Sequence, residues 1–529
     1  MKTIDKLINK KPVKVDPSIP STIPKFVDEL PIMPIAKPLN HYEEKNYYEI
    51  VMKEGHHNFH KEFPFTKVWG YDGIYPGPTL EAIRDRPIYV RWVNDLPFKH
   101  FLPVDKTLHG AMGSPEVRTV VHLHGANVAS DSDGSPDAWY TRNYSFTGKA
   151  FKNKVYKYTN HQPSSTLWYH DHSLGITRLN VYAGLTGLYL LRDFNEMSLG
   201  LPEGEYEVPL LIQDRSFNKD GSLFYPQEPN PPVSVTPSVV PAFLGNTIVV
   251  NGKLWPYLEV EPRKYRFRIV NGSNTRAYDF SLENGENFTQ IGTDGGLLHH
   301  PVSIDSFELE PAERIDLVID FSKYKGKSFK LMNMDAPEDE NLGVIMEFRV
   351  TKRLKGEDNS KVPEMLYPEE HIDEEMAERE RLLPLSASQD HYGRPMLMLD
   401  GRMWNDPVTE TPMLDSIEVW RFINTTPFPH PIHVHLVQFK ILSRQAYDVD
   451  KYLNDEGLFL IGEAIPPRAF ERGWKDTVKA EPGMVTSVIM QFKDHIGDYV
   501  WHCHILEHED HDMMRPIRVV DVGVKERIE

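Results

Sequence analysis

An all-β chain built from three related units is predicted by three features of its 529 residues. Short runs rich in Val, Ile, Tyr and Phe are broken throughout by Pro, Gly, Asn and Asp. The 42 prolines are hard to place in helices, because each removes a backbone N–H and clashes with the preceding turn. A tetrapeptide pattern recurs as Arg91-Trp92-Val93-Asn94, Arg268-Ile269-Val270-Asn271 and Arg421-Phe422-Ile423-Asn424, each time closing an alternating run and opening a turn. A glycine-bearing turn precedes each copy, at Pro76-Gly77-Pro78, Asn251-Gly252 and Asp400-Gly401.

These repeats divide the chain into a first unit (residues 1–195), a second (196–352) and a third (382–529), with a charged stretch (353–381) before the third. A second register supports the division. Glu310-Pro311 leading to Phe321 and Gly326 aligns without a gap with Glu481-Pro482 leading to Phe492 and Gly497. Beyond that glycine the third unit has His502, Cys503 and His504 where the second has Leu331, Met332 and Asn333. The second unit therefore holds no metal ligand on this strand and reads as a spacer. The charged stretch carries Glu369, Glu370, Glu374, Glu375, Glu378 and Glu380, too polar for a core, and is expected to be an exposed linker able to form a helix.

Composition excludes several functions. The 59 basic residues face 77 acidic ones, a formal charge of −18, and no basic run could follow a phosphate backbone, which argues against nucleic-acid binding. No stretch approaches the roughly 18 apolar residues of a membrane helix. Met1 to Val15 carries Lys2, Lys6, Lys10 and Lys11 but neither an apolar core nor a small-residue cleavage site, so cytosolic synthesis without a secretory signal is expected. Cys503 is the single cysteine, which rules out an internal disulfide.

Four His-x-His pairs occur: His122 and His124, His170 and His172, His433 and His435, His502 and His504. Residues i and i+2 of a strand share a face, and random placement of the histidines would give roughly one such pair. Two pairs fall in the first unit and two in the third, which suits a metal cluster held between those units. Imidazole alone does not name the metal, since Cu, Zn, Fe and Ni all accept it. Cys503 narrows the choice, because it lies between His502 and His504 with its side chain on the opposite strand face, free to bind a separate ion. Two histidines, a cysteine and a weak thioether make a blue copper site. The chain offers His430, Cys503, His508 and Met513, with Met514 competing for the place of Met513. An electron taken up beside Cys503 has only that residue's backbone to cross before it reaches His502 or His504. Reduction of dioxygen to water takes four electrons, the number that one blue copper and a three-copper cluster hold together.

The stretches around His122, Trp168-Tyr169-His170, His430 and Trp501-His502-Cys503-His504 resemble the four copper-binding motifs of multicopper oxidases. Within that family the chain is most similar to bacterial spore-coat laccases, down to the ending Glu507-His508-Glu509-Asp510-His511-Asp512-Met513-Met514-Arg515-Pro516. The resemblance implies three Greek-key β-sandwich domains of the cupredoxin kind and four copper ions. It implies a type 2 copper on His122 and His433, a type 3 pair on His124, His170, His172, His435, His502 and His504, and a type 1 copper on His430, Cys503, His508 and axial Met513. It also implies that Asp133 and Glu509 deliver protons to reduced oxygen; orienting ligand imidazoles is the alternative role, and Asp131 is close enough in sequence to be mistaken for Asp133.

The activity implied is that of a laccase, which takes single electrons from a small aromatic reducing substrate (a phenol, aromatic amine or dye) near His508, passes them through Cys503 and delivers them to dioxygen. The alternatives are a bilirubin oxidase, a metal-ion oxidase, or a structural coat protein with incidental oxidase activity. The chain lacks a methionine-rich insertion, which tilts against metal-ion oxidation, and it lacks the cysteine pair that spore-coat laccases can carry. The expected setting is the spore coat, within a coat-protein assembly, with a monomer on isolation. Other histidines are expected to stay outside this chemistry: His56, His57 and His60 as a polar exposed turn, His299 and His300 as structural or solvated.

Overall fold

A computed structural model describes residues 23–39, 46–521 and 523; the reading of Met1 to Val15 lies outside these described residues. Among them the strands form six sheets. Residues 47–192 supply two four-stranded sheets, residues 207–349 a seven-stranded and a five-stranded sheet, and residues 379–519 a six-stranded and a four-stranded sheet. None of the described helices is long and apolar enough to cross a membrane.

Each stretch repeats one arrangement around its Arg-x-x-Asn strand. Ile88–Asn94 lies between a parallel neighbour, Tyr47–His57, and an antiparallel one, Val155–Tyr158. Lys264–Asn271 lies likewise between Glu207–Arg215 and Arg314–Asp320, and Ile417–Asn424 between Arg379–Gln389 and Met484–Gln491. The terminal asparagine explains why this tetrapeptide recurs. Asn271 donates from Nδ2 to the carbonyls of Arg276 and Leu309 and accepts the Ser273 N–H at Oδ1. Asn424 does the same with Phe428, Ala480 and Thr426, and Asn94 donates to the Thr119 hydroxyl and the Tyr140 carbonyl and accepts the Leu96 N–H. One buried amide thus closes the turn that ends the strand and ties it to a second segment.

The gap-free alignment of the second and third units also has a structural counterpart. Ser328–Asn333 lies between Val344–Arg349 and Tyr278–Leu282, and Gly497–Cys503 lies in the matching place between Met514–Val519 and His430–Val434. One hydrophobic core runs through the first two stretches, from Trp69 and Trp92 to Trp255 and Phe267. The last stretch has its own, which includes Trp420, Phe422 and Trp501 together with Cys503 and Met513.

Two expectations need correction. The charged stretch is largely exposed but is not a helix: apart from a single turn at Glu374–Met376 it has no regular structure, and Arg379–Gln389 is already a strand. It is held as a strap, by Leu366 in a core, by Asp358 accepting from Arg263 and Lys264, and by Tyr367 accepting from Arg84. His299 and His300 donate to its Tyr367 and Glu364 carbonyls, a structural role. The second correction concerns the supposed polar turn. His56 is exposed, but His57 ends a strand and donates to the Gly252 carbonyl at 2.6 Å, and burial pulls its pKa down to about 4. His60 is fully buried and bonds the Pro24 carbonyl. This segment packs against the middle stretch, which a local reading of polarity does not reveal.

Replacing Asn271 by Ala should strand two buried carbonyls and an N–H and cost about 2–3 kcal/mol. Calorimetry should show a lowered unfolding midpoint, while Asn284→Ala, at an exposed position, should leave it unchanged.

Candidate metal centre

Two walls of histidine face each other. In the first stretch Val121–His124 pairs antiparallel with Ser165–Asp171, with His122 opposite His170. In the last, His430–Val434 pairs antiparallel with Gly497–Cys503, with His433 opposite His502. Backbone bonds from His172 to Val120, from His435 to Val500 and from His504 to Pro431 extend these ladders just past the strands. The walls interdigitate: the His122 ring stacks on His435 at 3.8 Å between centroids and His124 on His433 at 3.7 Å, while His172 meets His502 edge-on at 4.8 Å.

The ligand atoms gather as His122, His124 and His433; as His124, His170 and His504; and as His172, His435 and His502, within 4.8 Å of one another in each group. His502 Nε2 lies 3.2 Å from His172 Nε2 and 3.3 Å from His435 Nε2. Buried nitrogens of His122 (Nε2), His124 (Nδ1), His170 (Nε2) and His433 (Nε2), and both of His504, have no hydrogen-bond partner. Each such orphan costs about 1–3 kcal/mol. Nitrogens so spaced and so unpaired fit ions bonded to imidazole at about 2.0–2.1 Å, so the residues present suit a metal cluster.

The opposite ring nitrogens are pinned. His122 Nδ1 donates to the Asp133 carbonyl at 2.7 Å, His170 Nδ1 to that of Asp171 at 2.8 Å and His433 Nδ1 to that of Asp476 at 2.8 Å. His435 Nδ1 donates to Asp133 Oδ2 at 2.8 Å and His124 Nε2 to Asp476 Oδ1 at 3.1 Å. A ring that donates at one nitrogen presents a lone pair at the other. Burial also keeps the rings neutral, pulling His170 and His172 down to about 3 and His502 to about 4.

Both predicted carboxylates reach this cluster. Asp133 is buried, whereas Asp131 is exposed, which settles which of the two sits beside His435. Glu509 Oε2 lies 3.1 Å from His502 Nδ1 and Oε1 lies 3.5 Å from His172 Nδ1. Burial raises Glu509 to about 7 and pushes Asp133 well above the usual carboxylate range.

Alternation along Gly497–Cys503 turns Cys503 the other way. Its Sγ lies 3.6 Å from His430 Nδ1 and 3.6 Å from His508 Nδ1, a group distinct from the histidine cluster. Met513 shares a core with Cys503, whose N–H donates to the Met513 carbonyl at 3.0 Å. Met514 packs elsewhere, with Leu174, Trp404 and Val500. Met513, and not Met514, thus shares the core that holds the thiol.

Sequence reasoning missed three residues. Asp476 fixes His124 with its side chain and His433 with its backbone. Thr426 Oγ1 holds His430 Nε2 at 2.7 Å. Arg314, from the middle stretch, binds the Asp476 carboxylate through both terminal nitrogens, at 2.6 and 2.5 Å. None belongs to a spaced motif, and their roles arise from contacts between distant segments.

Multicopper oxidase family models match residues 113–196, 220–348 and 376–522. The chain belongs to the multicopper oxidase family, copper-dependent oxidoreductases with oxygen as acceptor. Among its relatives is a laccase of Bacillus subtilis, 51% identical over 94% of this chain and 99% of that protein. A laccase of Haloferax volcanii is 39% identical, over 94% of this chain and 86% of its own length. The crystal structure of a laccase from Pediococcus acidilactici aligns with a TM-score of 0.74 at 27% identity, covering 94% of this chain and 95% of that one. The sheets accordingly form cupredoxin-like domains, and the family's cofactor set is four copper ions, for which the histidine and cysteine groups are suited.

If Met513 would supply the weak thioether of a blue copper, Met513→Leu should raise the potential of that copper. Met514→Leu should leave it unchanged in the same redox titration.

Proposed function

We propose that the chain is a laccase that oxidises phenols, aromatic amines or dyes one electron at a time. For a phenol the balance is four ArOH plus O2 giving four ArO• plus two H2O. We assign type 2 copper to His122 and His433, the type 3 pair to His124, His170, His172, His435, His502 and His504, and type 1 copper to His430, Cys503, His508 and Met513. Bound copper supplies reversible one-electron redox chemistry, with capacity across four ions for the four electrons dioxygen takes.

The observation that carries the reading is the position of Cys503. Its thiol faces His430 and His508 while its chain neighbours His502 and His504 face the cluster, so the polypeptide itself joins the two sites. His508 is 7% exposed whereas His430 and His502 are fully buried, and it offers the edge at which an electron donor can approach. Asp133 and Glu509 hold protons beside the cluster, and Glu509 is the better placed to pass one on because its two oxygens face imidazoles from both walls. The likeness to spore-coat laccases supports a coat assembly as the destination and a monomer as the isolated form.

Oxygen uptake by the copper-loaded chain should be driven by a phenol, and Cys503→Ser should abolish both that uptake and the blue colour. Turnover of bilirubin or manganese(II) without phenol would replace the donor; uptake with none of the three would favour a structural coat role.

Glu509 is protonated below about 7 and loses its proton as the pH rises through that value. If it delivers protons, oxygen consumption falls across that range. Glu509→Gln should lower the rate by about 100-fold and remove this limb of the pH profile.

A further inference from the structure

The middle stretch carries none of the predicted ligands, yet one of its side chains reaches the edge of the cluster. Arg314 opens the Arg314–Asp320 strand and is fully buried. Its Nη1 and Nη2 grip Asp476 at 2.6 and 2.5 Å, and its Nε donates to the Thr166 carbonyl at 2.9 Å. Thr166 lies on Ser165–Asp171, the strand that carries His170. One planar guanidinium therefore holds the first stretch with one edge and the last stretch with the other.

The group it holds in the last stretch orients imidazoles of both walls. Asp476 accepts His124 Nε2–H on Oδ1 and His433 Nδ1–H on its carbonyl, leaving His124 Nδ1 and His433 Nε2 unpartnered at the face of their stacked rings. Thr477 Oγ1, 3.0 Å from Asp476 Oδ1, lies within 3.4 Å of both donating nitrogens. Arg314 is itself tethered, by its N–H to Asp294 Oδ1 at 2.7 Å and by Nη2 to the Asp294 carbonyl at 3.2 Å. Asp294 also accepts the Asp476 N–H and pairs with Lys475. Space is limiting too. Gly125, directly after His124, has a φ of +86°, and a Cβ there would stand 2.5 Å from Arg314 Nη2 and 2.6 Å from Asp476 Oδ2.

We infer that Arg314 is a positioning residue for the trinuclear copper site: by clamping Asp476 against the His170 strand it fixes the tautomer and the register of His124 and His433 across the two walls. The inference rests on the copper-oxidase reading above. A bidentate fork is what this task requires. A lysine supplies the charge from one atom and cannot hold both carboxylate oxygens and a carbonyl in a plane. Loss of such outer partners costs roughly 10–100-fold in metal affinity. The type 1 site, which shares none of these contacts, is left intact.

The test compares Arg314→Met, Arg314→Lys and Asp476→Asn with Arg444→Met, which removes a buried arginine paired to Glu471 away from the copper ligands. Each copper-loaded protein is measured for copper per chain, blue absorption and the spin-resonance signal of type 2 copper. Arg314→Met should keep its blue band, lose roughly 10–100-fold in affinity for the type 2 ion and show that ion's signal altered or gone. Arg314→Lys should recover part of it. Asp476→Asn should change the type 2 signal in the same direction, and covers the case in which Arg314→Met does not fold. Arg444→Met should leave both signals unchanged. Unaltered type 2 signals in Arg314→Met and Asp476→Asn, or equal losses of type 1 and type 2 copper in these variants and in Arg444→Met, would overturn the inference. A copper-loaded parent chain with no blue band would overturn the oxidase reading and the clamp with it.

Discussion

Strand alternation is the constraint on which the centre depends. A two-residue period sends His502 and His504 to one face of their segment and Cys503 to the other, so two chemically different sites sit back to back across one polypeptide. The hairpin-like pairings bring His122 beside His170 and His433 beside His502 without any loop having to be placed accurately. Sheet ladders are rigid, and rigid elements hold ligands to better tolerance than loops do. His508, on the short helix Leu506–Glu509, and Met513, just after it, are secured differently. The Met513 N–H bonds the His508 carbonyl, and the Cys503 N–H bonds the Met513 carbonyl, which closes the loop onto the end of the strand.

Burial then decides the electrostatics. Eight buried imidazoles packed together cannot each carry a second proton, and desolvation together with their mutual repulsion keeps them neutral. Neutral rings have one lone pair, and its direction is set by whichever nitrogen donates outward. Backbone carbonyls of Asp133, Asp171 and Asp476 do most of that work, and Asp133 and Asp476 matter twice, once as backbone and once as side chain. The same desolvation lifts Glu509 into the range where it can exchange a proton near neutrality.

Much of this was legible in the sequence because the ligands are sparse residue types at strand spacing. Cys503 has no rival, and four His-x-His pairs exceed what composition gives. The threefold repeat was legible through its asparagines, each of which closes a turn and ties its strand to a second segment. Asp476 and Arg314 were not legible: they meet across 162 residues, and nothing local distinguishes them from other aspartates and arginines. The charged stretch misled in the opposite sense. Its glutamates suggested a helix, whereas anchors such as Leu366 and Tyr367, spaced for no regular element, hold it against the middle and first stretches. His60 misled because its burial comes from the chain passing Pro24, not from its own neighbours.

The setting of Cys503 has a consequence for the life of the chain before it meets its metal. Burial raises the thiol well above its usual range and seals the sulfur from solvent. Such a sulfur is a poor nucleophile and a poor target for peroxide, which attacks accessible thiolates. A folded chain can therefore wait in an oxidising setting without sulfenic acid formation at its one irreplaceable sulfur. Filling the site expels the thiol proton, which makes uptake at this position proton-linked and weaker in acid.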